Sequence, residues 1–136
     1  MDVAFTACVR HRLPLFVDAS LVKKCIEILL QEAANEHCDI LAFVFMPDYC
    51  HLLLRGREDG SDVLRLMRRF KQRTGYFFSQ NSVGARWQKD FYDRICRNDC
   101  EVQNQIGYII ENPVRKGLVT QWSEYPFTGA GGLAAD

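Results

Sequence analysis

Two residues with chemical potential sit close together in Met46-Pro47-Asp48-Tyr49-Cys50-His51-Leu52-Leu53-Leu54, a segment that leaves a turn and enters an apolar run. In an extended chain alternate residues share a face, so Tyr49, His51 and Leu53 point one way and Cys50, Leu52 and Leu54 the other. An imidazole so placed is either a hydrogen-bonded structural group or a metal ligand. Further along, Val102, Ile106, Ile109 and Ile110 form an apolar stripe at helical spacing, which leaves Gln105, Tyr108 and Asn112 on the opposite, polar side. Tyr108 is then either a surface or interface residue, or a nucleophile with Asn112 one turn later as an oxygen ligand for a metal. Arg65, Arg68, Arg69, Lys71 and Arg73 crowd into a third segment. Such a run is either the solvated face of a helix or a phosphate-binding, DNA-contacting surface. Trp87, Phe91, Tyr92, Tyr76 and Phe78 are stacking platforms for unpaired bases or else core aromatics.

The elements that must position these groups follow from hydrophobic periodicity. Residues 3–10 alternate loosely and contain Val3, Phe5, Thr6 and Val9, as in a first strand, and Arg12-Leu13-Pro14 turns the chain. Asp18 or Ser20 caps a helix reaching about Glu36, with Leu21, Val22, Cys25, Ile26, Leu29, Leu30 and Ala33 at helical spacing. The apolar run from Cys38 to Phe45 reads as a central strand, broken at Met46-Pro47-Asp48 and paired antiparallel with Tyr49 to Arg55. Ser61 caps a long helix to about Gln80, burying Val63, Leu66, Met67, Phe70 and Phe77. Residues 86–97 read as strand or extended chain, and a last helix runs from about Asp99 to the Asn112-Pro113 break. The glycine- and alanine-rich stretch from Gly129 reads as a poorly ordered tail. The order of elements gives an α+β fold, helices against one antiparallel sheet, in a single domain over residues 1–128 with 129–136 as the tail.

Composition sets the outer limits. With 136 residues, 48% of them hydrophobic and 25% charged, the chain can bury one core and does not resemble a disordered protein. No stretch approaches the roughly 20 apolar residues of a membrane span, and Met1-Asp2-Val3-Ala4-Phe5 lacks the basic region that opens a secretory signal. The expectation is a cytoplasmic protein without a membrane partner. The six cysteines are scattered, with no pair at structural-zinc spacing, and are expected to be free thiols; Cys96 and Cys100, four apart, could share a helix face. A formal net charge of +0 argues against a protein that coats nucleic acid nonspecifically, so any DNA contact must come from local clusters of charge.

Three linked motifs resemble those of the single-tyrosine HUH transposases, within the IS200-like superfamily, and particularly its REP-associated tyrosine branch. Met46-Pro47-Asp48-Tyr49-Cys50-His51 is similar to that family's Met-Pro-x-His-x-His, and Trp87-Gln88-Lys89-Asp90-Phe91-Tyr92-Asp93 to its Trp-Gln-x-x-aromatic-x-Asp. Tyr108-Ile109-Ile110-Glu111-Asn112-Pro113-Val114-Arg115-Lys116-Gly117-Leu118-Val119 resembles its Tyr-Ile-x-x-Asn-Pro-Val-x-x-Gly-Leu-Val. The resemblance implies a ferredoxin-like HUH fold, with a central antiparallel sheet of about four to five strands flanked by helices. It implies a homodimer that cuts and rejoins single-stranded or hairpin DNA through a 5′-phosphotyrosine at Tyr108. It also implies a divalent ion, Mg²⁺ or Mn²⁺, held by His51, Asn112 and the position of Tyr49. Tyr49 departs from the family, which has its first metal-binding histidine there. Either DNA is bound without being cut, or Asp48 or water completes the coordination, or Tyr49 ligates as a phenolate. A competing reading, an RNA-binding sheet, lacks an aromatic-rich signature on the strands.

Overall fold

The computed structural model describes residues 1–81 and 83–130. The chain runs β1 (Asp2–Cys8), α1 (Ala19–Asn35), β2 (Cys38–Met46), β3 (Tyr49–Gly56), α2 (Val63–Gln80), β4 (Tyr92–Cys96), α3 (Asp99–Ile110), α4 (Asn112–Arg115) and β5 (Thr128–Ala130). The five strands form one sheet in the order β4-β1-β3-β2-β5, every neighbouring pair antiparallel. Two split β-α-β units, β1-α1-β2 and β3-α2-β4, generate that order, and the ferredoxin-like expectation is met.

The pleat sorts side chains to two faces. Val3, Phe5, Phe45, Cys50, Leu52 and Leu54 pack beneath α1 and α2 in the larger core, together with Leu29, Leu66 and Phe70. The opposite face carries Ala42, Val44, Met46, Tyr49 and Leu53, covered by Val102 and Ile109 of α3. Because β3 is regular through this stretch, the alternation read from sequence holds, and His51 faces α3.

Several expectations need correction. Ser61 does not cap α2; Asp62 does, its carboxylate accepting from the Arg65 amide, while the Ser61 hydroxyl donates to the His37 carbonyl. Asp18, the first of the two candidates, caps α1. Cys96 ends β4 and Cys100 lies in α3, so they share no helix face; the six cysteines are free thiols as expected. Gly129 and Ala130 are no tail. They pair with Phe43 and Ala42 in β5, where a Cβ on residue 129 would run into the Phe43 ring unless one of the two shifted. The rest of the expected tail, 131–136, lies outside the described residues. No helix among the described residues is long and apolar enough to cross a membrane.

Candidate active site

A cleft of about 370 Å³ opens between the sheet and α3, lined in part by Thr6, His51, Tyr92, Arg94, Gln105 and Tyr108. Its floor is a row across three strands, since Thr6 is opposite His51 on one side and Tyr92 on the other. The Thr6 hydroxyl oxygen lies 2.7 Å from His51 Nδ1, a hydrogen bond that fixes the ring and leaves its second nitrogen unclaimed by that bond. Burial, reinforced by the charges of Arg115 and Lys116, pulls the imidazole down to about 4, so His51 is neutral near pH 7.

Tyr108 is 50% exposed at the cleft wall, with its ring centroid 5.7 Å from that of His51. The Arg115 guanidinium lies 4.1 Å over the Tyr108 ring and donates a hydrogen bond to the Tyr108 carbonyl, one of the carbonyls left unpaired at the end of α3. Sequence periodicity had placed Tyr108 off the apolar stripe, and so it is. Asn112 is different. The helix stops at Ile110, Glu111 caps it, and Asn112 opens the separate turn α4, which carries its side chain inward to 1% exposure rather than out on the polar side. There Asn112 Oδ1 accepts from the Tyr49 phenol at 2.7 Å. Tyr49 is itself only 7% exposed. Burial, with the charges of Asp48 and Tyr108, raises its pKa from the ordinary phenol value. Asp48 is engaged elsewhere, accepting from Arg12 Nε at 2.7 Å, and the Arg12 guanidinium stands 5.2 Å from the Tyr49 ring centroid. His11 and Arg12 hold that arrangement with φ of 60° and 53°, unusual for non-glycine residues.

The basic residues of α2 lie beneath the other face of the sheet and do not converge on Tyr108. Arg69 and Arg73 bind the two oxygens of Glu32, which is 1% exposed, and Arg65 reaches Glu36 and Asp62. Lys71 donates to the carbonyls of Gln88, Lys89 and Asp90. Arg68 alone of the five makes no ion pair or side-chain hydrogen bond among the described residues, and it lines an open groove with Lys71, Arg86 and Lys89. Of the candidate stacking aromatics, Trp87 and Phe78 are core, whereas Tyr76 and Tyr92 are exposed. Sequence reasoning did not single out Thr6, Arg94 and Gln105 as lining one cleft, Arg115 over the Tyr108 ring, or Glu32. The alternation of β1, which puts Ala4, Thr6 and Cys8 opposite Val3, Phe5 and Ala7, carried the signal for Thr6.

Comparison with known proteins now bears on this geometry. The family profile described as "Transposase IS200 like" matches residues 1–112. The chain belongs to that family. A REP-associated tyrosine transposase of Escherichia coli (strain K12) is 28% identical over 90 residues, covering 66% of this chain and 53% of that protein. The chain thus spans about half the length of this curated relative. The solved structure of a REP-associated tyrosine transposase bound to a REP hairpin shares the fold, with a TM-score of 0.77 and 24% identity over 93% of this chain and 74% of that one.

Within this IS200-like transposase chain the residues that the motif resemblance assigns to a metal site do not fit a divalent ion. His51 contributes one nitrogen, Asn112 Oδ1 already accepts a hydrogen bond from the Tyr49 phenol, and Asp48 is paired with Arg12. Mg²⁺ and Mn²⁺ take several ligands in near-octahedral array, and one nitrogen with a neutral phenol does not supply them. Among the described residues no three His, Cys, Asp or Glu side chains converge on a point.

Proposed function

We propose that this chain acts on single-stranded or hairpin DNA, cleaving and rejoining it in transposition or recombination, with Tyr108 as the nucleophile. What carries the reading is a half-exposed tyrosine beside a neutral histidine in an open cleft, with a guanidinium stacked on its ring. In the reaction the Tyr108 phenol oxygen bonds to phosphorus and the bond from phosphorus to the 3′ oxygen breaks. The phenol loses its proton and the departing 3′ oxygen gains one, leaving a 5′-phosphotyrosine and a 3′-hydroxyl. Rejoining reverses the step without ATP, because the phosphodiester energy is retained. The solved relative bound to a REP hairpin supports hairpin DNA as the ligand class. Arg68, Arg86 and Lys89, on the groove under the opposite face, are the further phosphate contacts we assign.

The Tyr49–Asn112 hydrogen bond favours a second reading, recognition of the hairpin without cutting. One gel separates the two. Purified protein is incubated with labelled single-stranded hairpins, and a denaturant-resistant protein-DNA adduct that disappears in Tyr108→Phe establishes cleavage. Hairpin binding with no adduct establishes the second reading for the DNAs tested.

A further inference from the structure

The position behind His51 where the family resemblance puts an ion is already filled by protein groups. The Tyr49 phenol donates to Asn112 Oδ1 inside the protein, so two of the three implied ligands satisfy each other. An ion there would compete with the phenol for Asn112 Oδ1, and a phenol displaced from it would be a stranded buried hydroxyl. Arg12, held to Asp48 and standing over the Tyr49 ring, keeps the neighbouring carboxylate paired, so Asp48 does not offer the ion a free oxygen. On the nucleophile's side, positive charge is already present as the Arg115 guanidinium, stacked on Tyr108 and exposed. Guanidinium stays charged at any working pH and matches two phosphate oxygens at once. We propose that the Tyr108 site of this chain works with a protein cation in place of a metal: the Tyr49–Asn112 bond occupies the ion's position, and Arg115 meets the phosphate that approaches Tyr108. The exclusion of metal stands by itself, whereas the role of Arg115 rests on the DNA-binding function proposed above.

The first half is tested on the full chain without DNA. Mn²⁺ is titrated in, and free ion is counted from its electron paramagnetic resonance signal. The wild type leaves the ion free, while Tyr49→His, which removes the phenol donor and frees Asn112 Oδ1, takes up about one equivalent and loses it again when His51→Ala is added. Stoichiometric uptake by the wild type that vanishes in His51→Ala overturns the proposal. So does a Tyr49→His protein that shows wild-type circular dichroism and still takes up no ion. The second half is read by fluorescence anisotropy with a labelled single-stranded oligonucleotide. Binding persists unchanged in EDTA, and Arg115→Gln, which keeps a donor for the Tyr108 carbonyl but drops the charge, weakens it about 10-fold and lowers the salt slope by about one. A purely structural Arg115 would leave the salt slope alone, and that result, or binding abolished by EDTA, overturns the assignment. Failure of any single strand to bind in either buffer removes the proposed function and the Arg115 role together, and leaves the Mn²⁺ result intact.

Discussion

At the scale of single residues, the site turns on one hydroxyl. A buried acceptor that loses its donor bears the full cost of desolvation, whereas an exposed one recruits water. Tyr49→Phe keeps the ring and strands Asn112 Oδ1, so urea denaturation should show a loss of about 1–3 kcal/mol with an unchanged m-value. A loss within error would mean that water takes the hydroxyl's place. The same hydroxyl marks where sequence reading ended. The side-chain direction of Tyr49 and His51 was legible, because a strand's period of two admits one answer once the strand exists. The inward turn of Asn112 was not, because it depends on α3 stopping at Ile110 and the chain starting a new turn, which helical extrapolation assumes away.

At the scale of elements, α1 and α2 are pinned to one another by a carboxylate that sequence gave no reason to single out. Glu32 looks like an ordinary polar position on α1, and the arginines that claim it lie 37 and 41 residues later. The five-cation run on α2 therefore read as one surface, when three of its members face acids from elsewhere in the fold. Burial pushes the Glu32 carboxyl up, and hydrogen bonds and charges from Arg73 and Arg69 outweigh it, leaving the pKa lowered from 4.5. The folded chain then holds that proton less tightly than the unfolded one. Its stabilisation is complete above the unfolded value and is lost as pH falls below it. Denaturation at pH 7 and near pH 3.5 should show this loss in the wild type, and Glu32→Gln, less stable at pH 7 by about 1–3 kcal/mol, should show less of it. An equal acid loss in the variant would assign the effect to other carboxylates. The last strand makes a sterically simple prediction. Gly129→Ala forces Cβ into the buried Phe43 ring, so β5 should detach or the core should shift at a cost of about 1–3 kcal/mol. Faster amide hydrogen exchange at Thr128–Ala130 than in wild type would register detachment, and unchanged exchange together with unchanged stability would show that Phe43 gives way freely.

At the scale of the whole molecule, the sheet separates two kinds of surface. The Tyr108 cleft lies on the face under α3, and the groove of Arg68, Arg86 and Lys89 lies on the side of α2. With a formal net charge of +0, the molecule has no overall field for DNA, so the proposed DNA contact rests on local clusters. Reversing Arg68 and Lys89 together to glutamate should weaken single-strand binding and flatten its salt dependence, while Mn²⁺ uptake by a Tyr49→His background stays the same. An unchanged affinity would confine DNA to the cleft face. The fold class was legible because alternating strands and amphipathic helices leave few arrangements, whereas which charges remain free was not, since that is decided by pairs distant in sequence.

The phenol at position 49 has a genetic consequence. Tyrosine and histidine codons differ by a single pyrimidine transition in the first base, and the ring that must be exchanged already sits against Asn112 and beside His51. A lineage carrying this gene therefore stands one point mutation from presenting an imidazole where it now presents a hydroxyl. Whichever chemistry selection favours at this corner of the cleft, drift can reach the other without passing through an unrelated side chain.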